Sequence, residues 1–295
     1  MSGASLLPRR RAPLLRQVLR ACEARRMWPL YLIFVTFTLL ALFAPWIAPY
    51  PPAEQDLFAR LKPPGTAGSE GIYWLGTDEL GRDLLSRIIH GARVSMMVAS
   101  LSVVVSLVTG TAIGLAAGYF RGPLEVVLMR LVDIILSIPA ILLAIIAVAV
   151  LGPGLQNLVI VLGFTRWPRY ARVAYGQTLG IANTPYVAAA RFIGLPWWRI
   201  LLRHVLPNII APLIVVATLE FGLMIIWEAG LSFLGLGVQP PLPSWGAILS
   251  TGRNYMGSAW WIATLTGACL FLLVLSVNMI GDFLRDRFDP HSIRR

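Results

Sequence analysis

The 27 residues from Val94 to Phe120 carry no charged side chain. A helix of about 20 such residues crosses the hydrocarbon of a bilayer. Within hydrocarbon, every backbone amide must bond inside its own helix or inside a closed barrel. Long apolar runs recur at Trp28–Ala48, Leu124–Leu151, Ile209–Gly230 and Ala259–Gly281. A weaker one begins near Leu155 and ends at Thr165, ahead of Arg166, Arg169 and Arg172. A β-barrel needs alternating apolar and polar residues, and these unbroken runs lack that alternation. Only 13% of residues are charged, against about 25% in soluble domains. The chain therefore reads as an all-α, polytopic membrane protein with six transmembrane helices.

Six crossings leave both termini on one side, and the charges test that arrangement. The termini's side holds 19 basic residues. The opposite side holds 6, Arg60, Lys62, Arg82, Arg87, Arg93 and Arg253, balanced by 6 acidic residues. Positive charge concentrates in cytoplasmic loops, so both termini are expected in the cytoplasm. The net charge of +11 has the same origin and requires no nucleic acid. The basic start followed by Trp28–Tyr50 resembles a signal peptide, but the apolar run is too long and lacks a clean cleavage site. It is expected to stay as the first span, with Arg9-Arg10-Arg11 as a charge anchor. The expected division is a cytoplasmic tail over 1–27, a first transmembrane helix over 28–50 and an outer loop over 51–93. A core of five transmembrane helices follows over 94–281, then a cytoplasmic tail over 282–295. Cys22 and Cys269 lie too far apart in sequence for a disulfide framework or zinc spacing. His90, His204 and His291 are scattered, so no metal site is expected.

One segment of the core departs from the apolar rule. AAARFIGLPWWRILLRHVLPN, Ala188–Asn208, carries three arginines and a histidine. Thr184-Pro185 can start a helix, since threonine caps and proline suits the first helical position. Alanines 188–190 favour the helix. Gly194 can adopt the left-handed conformation that ends it. Pro196 then starts a second helix, Trp197–Leu206, expected to stop before Pro207. Trp197 and Trp198 suit a membrane interface, and Arg199 and Arg203 share a face. From the residues alone this hairpin, 184–207, is either an interfacial amphipathic element or a docking site for a cytoplasmic partner.

The segment resembles the EAA loop of permease subunits of bacterial ATP-binding-cassette importers. That pattern runs Glu-Ala-Ala, three residues, Gly, nine residues, then Ile-x-Leu-Pro. Ala189, Ala190, Gly194, Leu206 and Pro207 match at both spacings. Ala188 stands where the pattern has Glu, and His204 where it has Ile. Trp74–Ser95, Met129–Ala144, Glu228–Ser250 and Gly281–Pro290 also resemble the dipeptide, oligopeptide and nickel branch, in the order of its C-type permease. The resemblance covers about residues 28–290 and implies a type I importer permease fold in the bacterial inner membrane, with the 51–93 loop periplasmic. It implies that Tyr186, Ala188, Ala189, Ala190, Arg191, Gly194, Leu206 and Pro207 dock an ATPase. The implied partners are a homologous B-type permease, two ATPases carrying ATP and Mg, a periplasmic or lipid-anchored binding protein and membrane lipid.

The residues agree with a subunit that lacks its own engine. A P-loop requires Gly-Lys-Ser/Thr. The sole lysine, Lys62, precedes Pro63, so no catalytic residue and no bound cofactor are expected. HExxH and GxSxG are also absent. Ionisable residues inside spans are costly and point to function. Glu220 either lines a translocation path or is satisfied by a neighbouring helix. Glu228 either lines the path or supports the outer loop. Arg130 and Asp133 are spaced to pair on one helix, and Asp78, Glu79, Arg82, Asp83 and Arg87 are expected to knit the outer loop. The expected cargo is di- or oligopeptide, with nickel complexes and glutathione as alternatives. A self-sufficient secondary transporter would need inverted repeats and more buried charge.

Overall fold

The first apolar run folds as α1 (Ala12–Leu42) and, past Phe43, a short α2 (Ala44–Ile47). Pro45 sits in the first turn of α2, where a missing N–H breaks no helical bond. This computed structural model describes residues 12–68 and 71–288, with side chains from 27 to 287. Arg9-Arg10-Arg11, the Cys22 side chain and His291 lie outside the described residues.

The proline-rich loop that follows is folded. Two short strands, β1 (Thr66–Ala67) and β2 (Ile72–Tyr73), pair antiparallel. Arg82 Nε lies 2.7 Å from Asp78 Oδ2, Arg82 Nη2 lies 2.9 Å from Glu79 Oε1, and Arg87 Nη1 lies 3.0 Å from Asp78 Oδ2. The expected ion-pair cluster is thus present. Asp83 stands apart from it and caps α3 (Leu84–Phe120), accepting from the Ser86 backbone N–H at 2.7 Å. Burial pushes its carboxyl above the ordinary aspartate value. The cap starts α3 ten residues before the expected Val94.

The third apolar run breaks. It folds as α4 (Gly122–Ser137) and α5 (Ala140–Leu151), meeting at 90°. Pro139 explains the break. The residue before a proline is pushed out of the helical region, and Ile138 sits at φ −91°, ψ 131°. The fourth run does not stop at Thr165. α6 (Leu155–Ala182) continues through all three arginines.

α7 (Pro185–Phe192) and α8 (Trp197–Ile200) form the expected hairpin, but its second arm does not end before Pro207. A π-helical turn, Leu201–Val205, leads directly into α9 (Leu206–Phe233). A proline ring clashes with the carbonyl four residues back. The wider turn, with Leu206 N–H bonded to Leu201 O, passes that point without breaking the helix. The expected loop after α9 also holds α10 (Trp245–Asn254), capped by Ser244, whose hydroxyl accepts from Ala247 N–H at 3.2 Å. α11 (Trp260–Phe288) closes the described chain.

Among the described residues, three helices are long and apolar enough to cross a membrane: Leu84–Phe120, Trp197–Phe233 and Trp260–Arg287. The bent α4–α5 pair makes a fourth if counted as one span. α3 packs along α6 through Gly110, Gly114 and Gly118. A Cβ on Gly114 would lie 2.6 Å from Ala174 Cβ, and one on Gly118 would lie 2.8 Å from Thr178 Cβ. Small residues four apart let backbones approach closely, and the Ser106 hydroxyl donates to Gly163 O at 2.8 Å across the gap. A second buried cluster sits under the hairpin, built from Tyr170, Val187, Ala190, Ile200, Val205 and Ile209.

Candidate functional site

The hairpin is sharply two-faced. Val187, Ala190, Ile200, Leu201 and Val205 are buried against α6 and α9. Its tip points outward: Phe192 is 91% exposed and Ile193 76%. Gly194 makes the turn, with φ +78°. Its N–H donates to Arg191 O at 3.0 Å, and Leu195 N–H donates to Ala190 O at 3.2 Å. These are the two bonds that close a helix end through a left-handed glycine. Ala188, Ala189 and Arg191 lie along the partly open side of α7.

Three contacts fix the hairpin's angle. The Trp197 ring meets Phe120, the last residue of α3, at 5.4 Å between centroids. The Arg191 guanidinium lies 4.5 Å over the Tyr119 ring, a favourable cation–π placement. On the other arm Asn208 Nδ2 donates to His204 O at 2.7 Å and to the Tyr186 hydroxyl at 3.2 Å. This occupies a carbonyl beside the π turn. Leu206 and Pro207 are the first residues of α9, so any push on the hairpin passes into that helix.

Glu220, on α9, is 2% exposed. Arg166 of α6 holds it with two bonds, Nε to Oε2 at 2.8 Å and Nη2 to Oε1 at 3.0 Å. Arg166 also stacks 4.6 Å over the Trp227 ring. Arg169 adds one bond, Nη1 to Oε1 at 2.9 Å, while its side chain stays 53% exposed. Two cations therefore surround one anion, and the spare charge sits on Arg169. Glu228 lies fully buried and accepts from the Ser95 hydroxyl at 2.6 Å and the Ser232 hydroxyl at 2.8 Å. The Ser232 hydroxyl in turn accepts from Val238 N–H at 3.2 Å, which ties the outer loop to α9.

Asp133 does not pair with Arg130. It binds Arg172 of α6, and the Tyr175 hydroxyl donates to Glu125 of α4. A partner on another helix has displaced the local one. Arg166, Arg169 and Arg172 escaped the sequence reading as partners of these acids. Their spacing of three marks one face of α6, and that was the available signal. No cluster of metal-ligating side chains occurs among the described residues.

Residues 110–294 match the family described as the binding-protein-dependent transport system inner membrane component. Residues 31–64 match the N-terminal TM domain of oligopeptide transport permease C. The chain is 47% identical to the di/tripeptide transport system permease protein of Pseudomonas aeruginosa, over 88% of this chain and 86% of that one. It is 40% identical to the glutathione transport system permease protein of Pectobacterium atrosepticum, over 85% of this chain and 82% of that one. Among solved structures it resembles the MetNI methionine ABC transporter in an inward-facing crystal form. There the TM-score is 0.57 at 21% identity, over 70% of this chain and 98% of the other.

Proposed function

The chain belongs to the family of binding-protein-dependent transport system inner membrane components, and from that premise we propose that it moves di- or oligopeptides inward as one half of a paired permease. It is a permease subunit of an ABC importer and a multi-pass membrane protein. The relatives named for di- and tripeptide transport favour peptide cargo over the glutathione reading. In the proposed topology six spans cross the bacterial inner membrane, with α4–α5 as one bent span, α6 crossing despite its arginines, and both termini in the cytoplasm.

One observation carries the energetic part of the reading. Phe192 and Ile193 stand largely exposed at the tip of a hairpin closed by Gly194. Large apolar side chains at an aqueous tip call for a partner surface. In this reading the partner is an ATPase, docked by Tyr186, Ala188, Ala189, Ala190, Arg191, Gly194, Leu206 and Pro207. ATP and Mg belong to two such ATPases, and this chain binds neither. Their closure would turn the hairpin, and the unbroken passage into α9 would tilt that helix, a rigid-body route to alternating access. A homologous permease completes the path, and a binding protein delivers cargo from outside.

The test is uptake into proteoliposomes holding the full complex. Peptide should accumulate only with ATP and with an intact P-loop lysine in the partner ATPase. Accumulation by this chain alone would overturn the reading in favour of a self-sufficient transporter.

A further inference from the structure

The open face of α6 changes character along its length. After Gln156 in its first turn, the exposed residues are Ile160 and Phe164; toward its end they are Arg169, Arg172, Gly176, Gln177 and Gly180. Positions 169, 172, 176 and 180 share one helical face. A Cβ built on Gly176 or Gly180 would meet nothing within 4 Å, so these glycines serve no packing within the chain. They leave a low, open wall beside two arginines.

In the proposed topology α6 crosses the membrane, where a charged side chain facing lipid is costly, and such residues face a bundle interior or a water-filled cavity instead. Arg169 does not face the interior of its own chain, since 53% of its side chain is exposed. Its bonding is also incomplete. A guanidinium has five N–H donors, and among the described residues only Nη1 of Arg169 is engaged, on Glu220. Arg166 is spent by contrast: it is 6% exposed, bound twice by the same carboxylate and stacked on Trp227. Glu220 thus holds Arg169 by one edge and leaves the other edge, and the spare positive charge, available. Arg172 beside it is neutralised by Asp133.

The geometry points to Arg169 as a ligand-binding residue on the wall of the translocation path, where its free guanidinium edge receives the carboxylate of the passing peptide. This rests on the permease reading above. A guanidinium fork matches a carboxylate at two points, and the Glu220 clamp fixes the fork's position before cargo arrives. Single engagement suits transport, since a path site must bind enough to admit cargo and weakly enough to release it.

Two measurements on the assembled, reconstituted transporter test this. In the first, Cys22 and Cys269 are replaced by serine, and Arg169→Cys or Phe164→Cys is added. A membrane-impermeant anionic thiol reagent, 2-sulfonatoethyl methanethiosulfonate, is applied from the hairpin side. Arg169→Cys is expected to react and Phe164→Cys to stay unreactive. An unreactive Arg169→Cys in a normally assembled complex would mean that the partner permease or lipid covers it, and would overturn the proposal. In the second, Arg169→Gln should lower dipeptide uptake at least about tenfold, the smallest loss expected when a charge-assisted contact is removed. Arg169→Lys, which keeps the charge without the fork, should restore only part of it, and ATP hydrolysis stimulated by the loaded binding protein should persist in both. Unchanged uptake by Arg169→Gln would also overturn it. If the wild-type complex imports no peptide, the peptide-cargo reading itself fails, a result separable from either of these.

Discussion

Arg166 and Glu220 grip each other at two points across α6 and α9, at 2.8 and 3.0 Å, with both side chains sealed from solvent. Removing one member leaves the other buried and unpaired, which costs about 3–5 kcal/mol. Glu220→Ala should therefore lower the thermal midpoint of the detergent-solubilised protein sharply. Replacing both together, Arg166→Met with Glu220→Leu, should return stability to the wild-type level or above. A double variant as unstable as Glu220→Ala would show that the pair itself, rather than the orphaned charge, holds the two helices.

Gly114 is predicted to tolerate no larger side chain in the α3–α6 contact. A Cβ there would crowd the Ala171 carbonyl and lie 2.6 Å from Ala174 Cβ. Overpacking of this kind costs about 1–3 kcal/mol, so Gly114→Val should reduce monodisperse yield and thermal midpoint. Gly176→Ala, on the open side of the same helix pair, should be neutral or raise stability by up to about 1 kcal/mol. Thermal melts of the two variants side by side decide the matter.

These two contacts show what the sequence disclosed and what it hid. The hairpin was legible because its signals are local: Pro185, Gly194 and Pro196 act within a few residues of themselves. The glycine repeat at 110, 114 and 118 was equally local, yet it lay inside a run read only for hydrophobicity. The Arg166–Glu220 pair was not legible, since 54 residues separate its members and helix spacing says nothing about the register of two helices. Asp133 made the same point, with Arg130 at the right spacing and Arg172 as the actual partner. Pro139 broke a run that composition had joined, whereas Pro207 failed to break one because a π turn absorbed it. A proline limits a helix, but neighbouring packing decides whether it ends.

Glu228 is expected to matter for the outer loop. It accepts from Ser95 and Ser232, and Ser232 anchors the loop at Val238. Glu228→Ala strands two buried hydroxyls, each costing about 1–3 kcal/mol. The loop between α9 and α10 should become sensitive to added protease, while Glu228→Gln, which keeps one acceptor oxygen, should lose less. Equal protection of wild type and Glu228→Ala would remove the anchoring role.

Gly194→Val separates docking from folding. At φ +78° a residue bearing a Cβ is strained by about 1–2 kcal/mol, and a β-branched one fits worse still. Nothing lies within 4 Å of the added Cβ, so the strain is confined to the turn and no helix is displaced by a clash. The two closing bonds, Gly194 to Arg191 and Leu195 to Ala190, should loosen and let Phe192 and Ile193 shift from the position a partner ATPase would grip. The variant should therefore purify at wild-type yield and melt within about 1–2 kcal/mol of wild type, yet bring down little ATPase. Gly194→Asn should recover much of the co-purification, because asparagine tolerates the left-handed conformation better than other side chains. Full ATPase recovery with Gly194→Val would refute the docking role of the turn, since the strained conformation would then be dispensable to the contact.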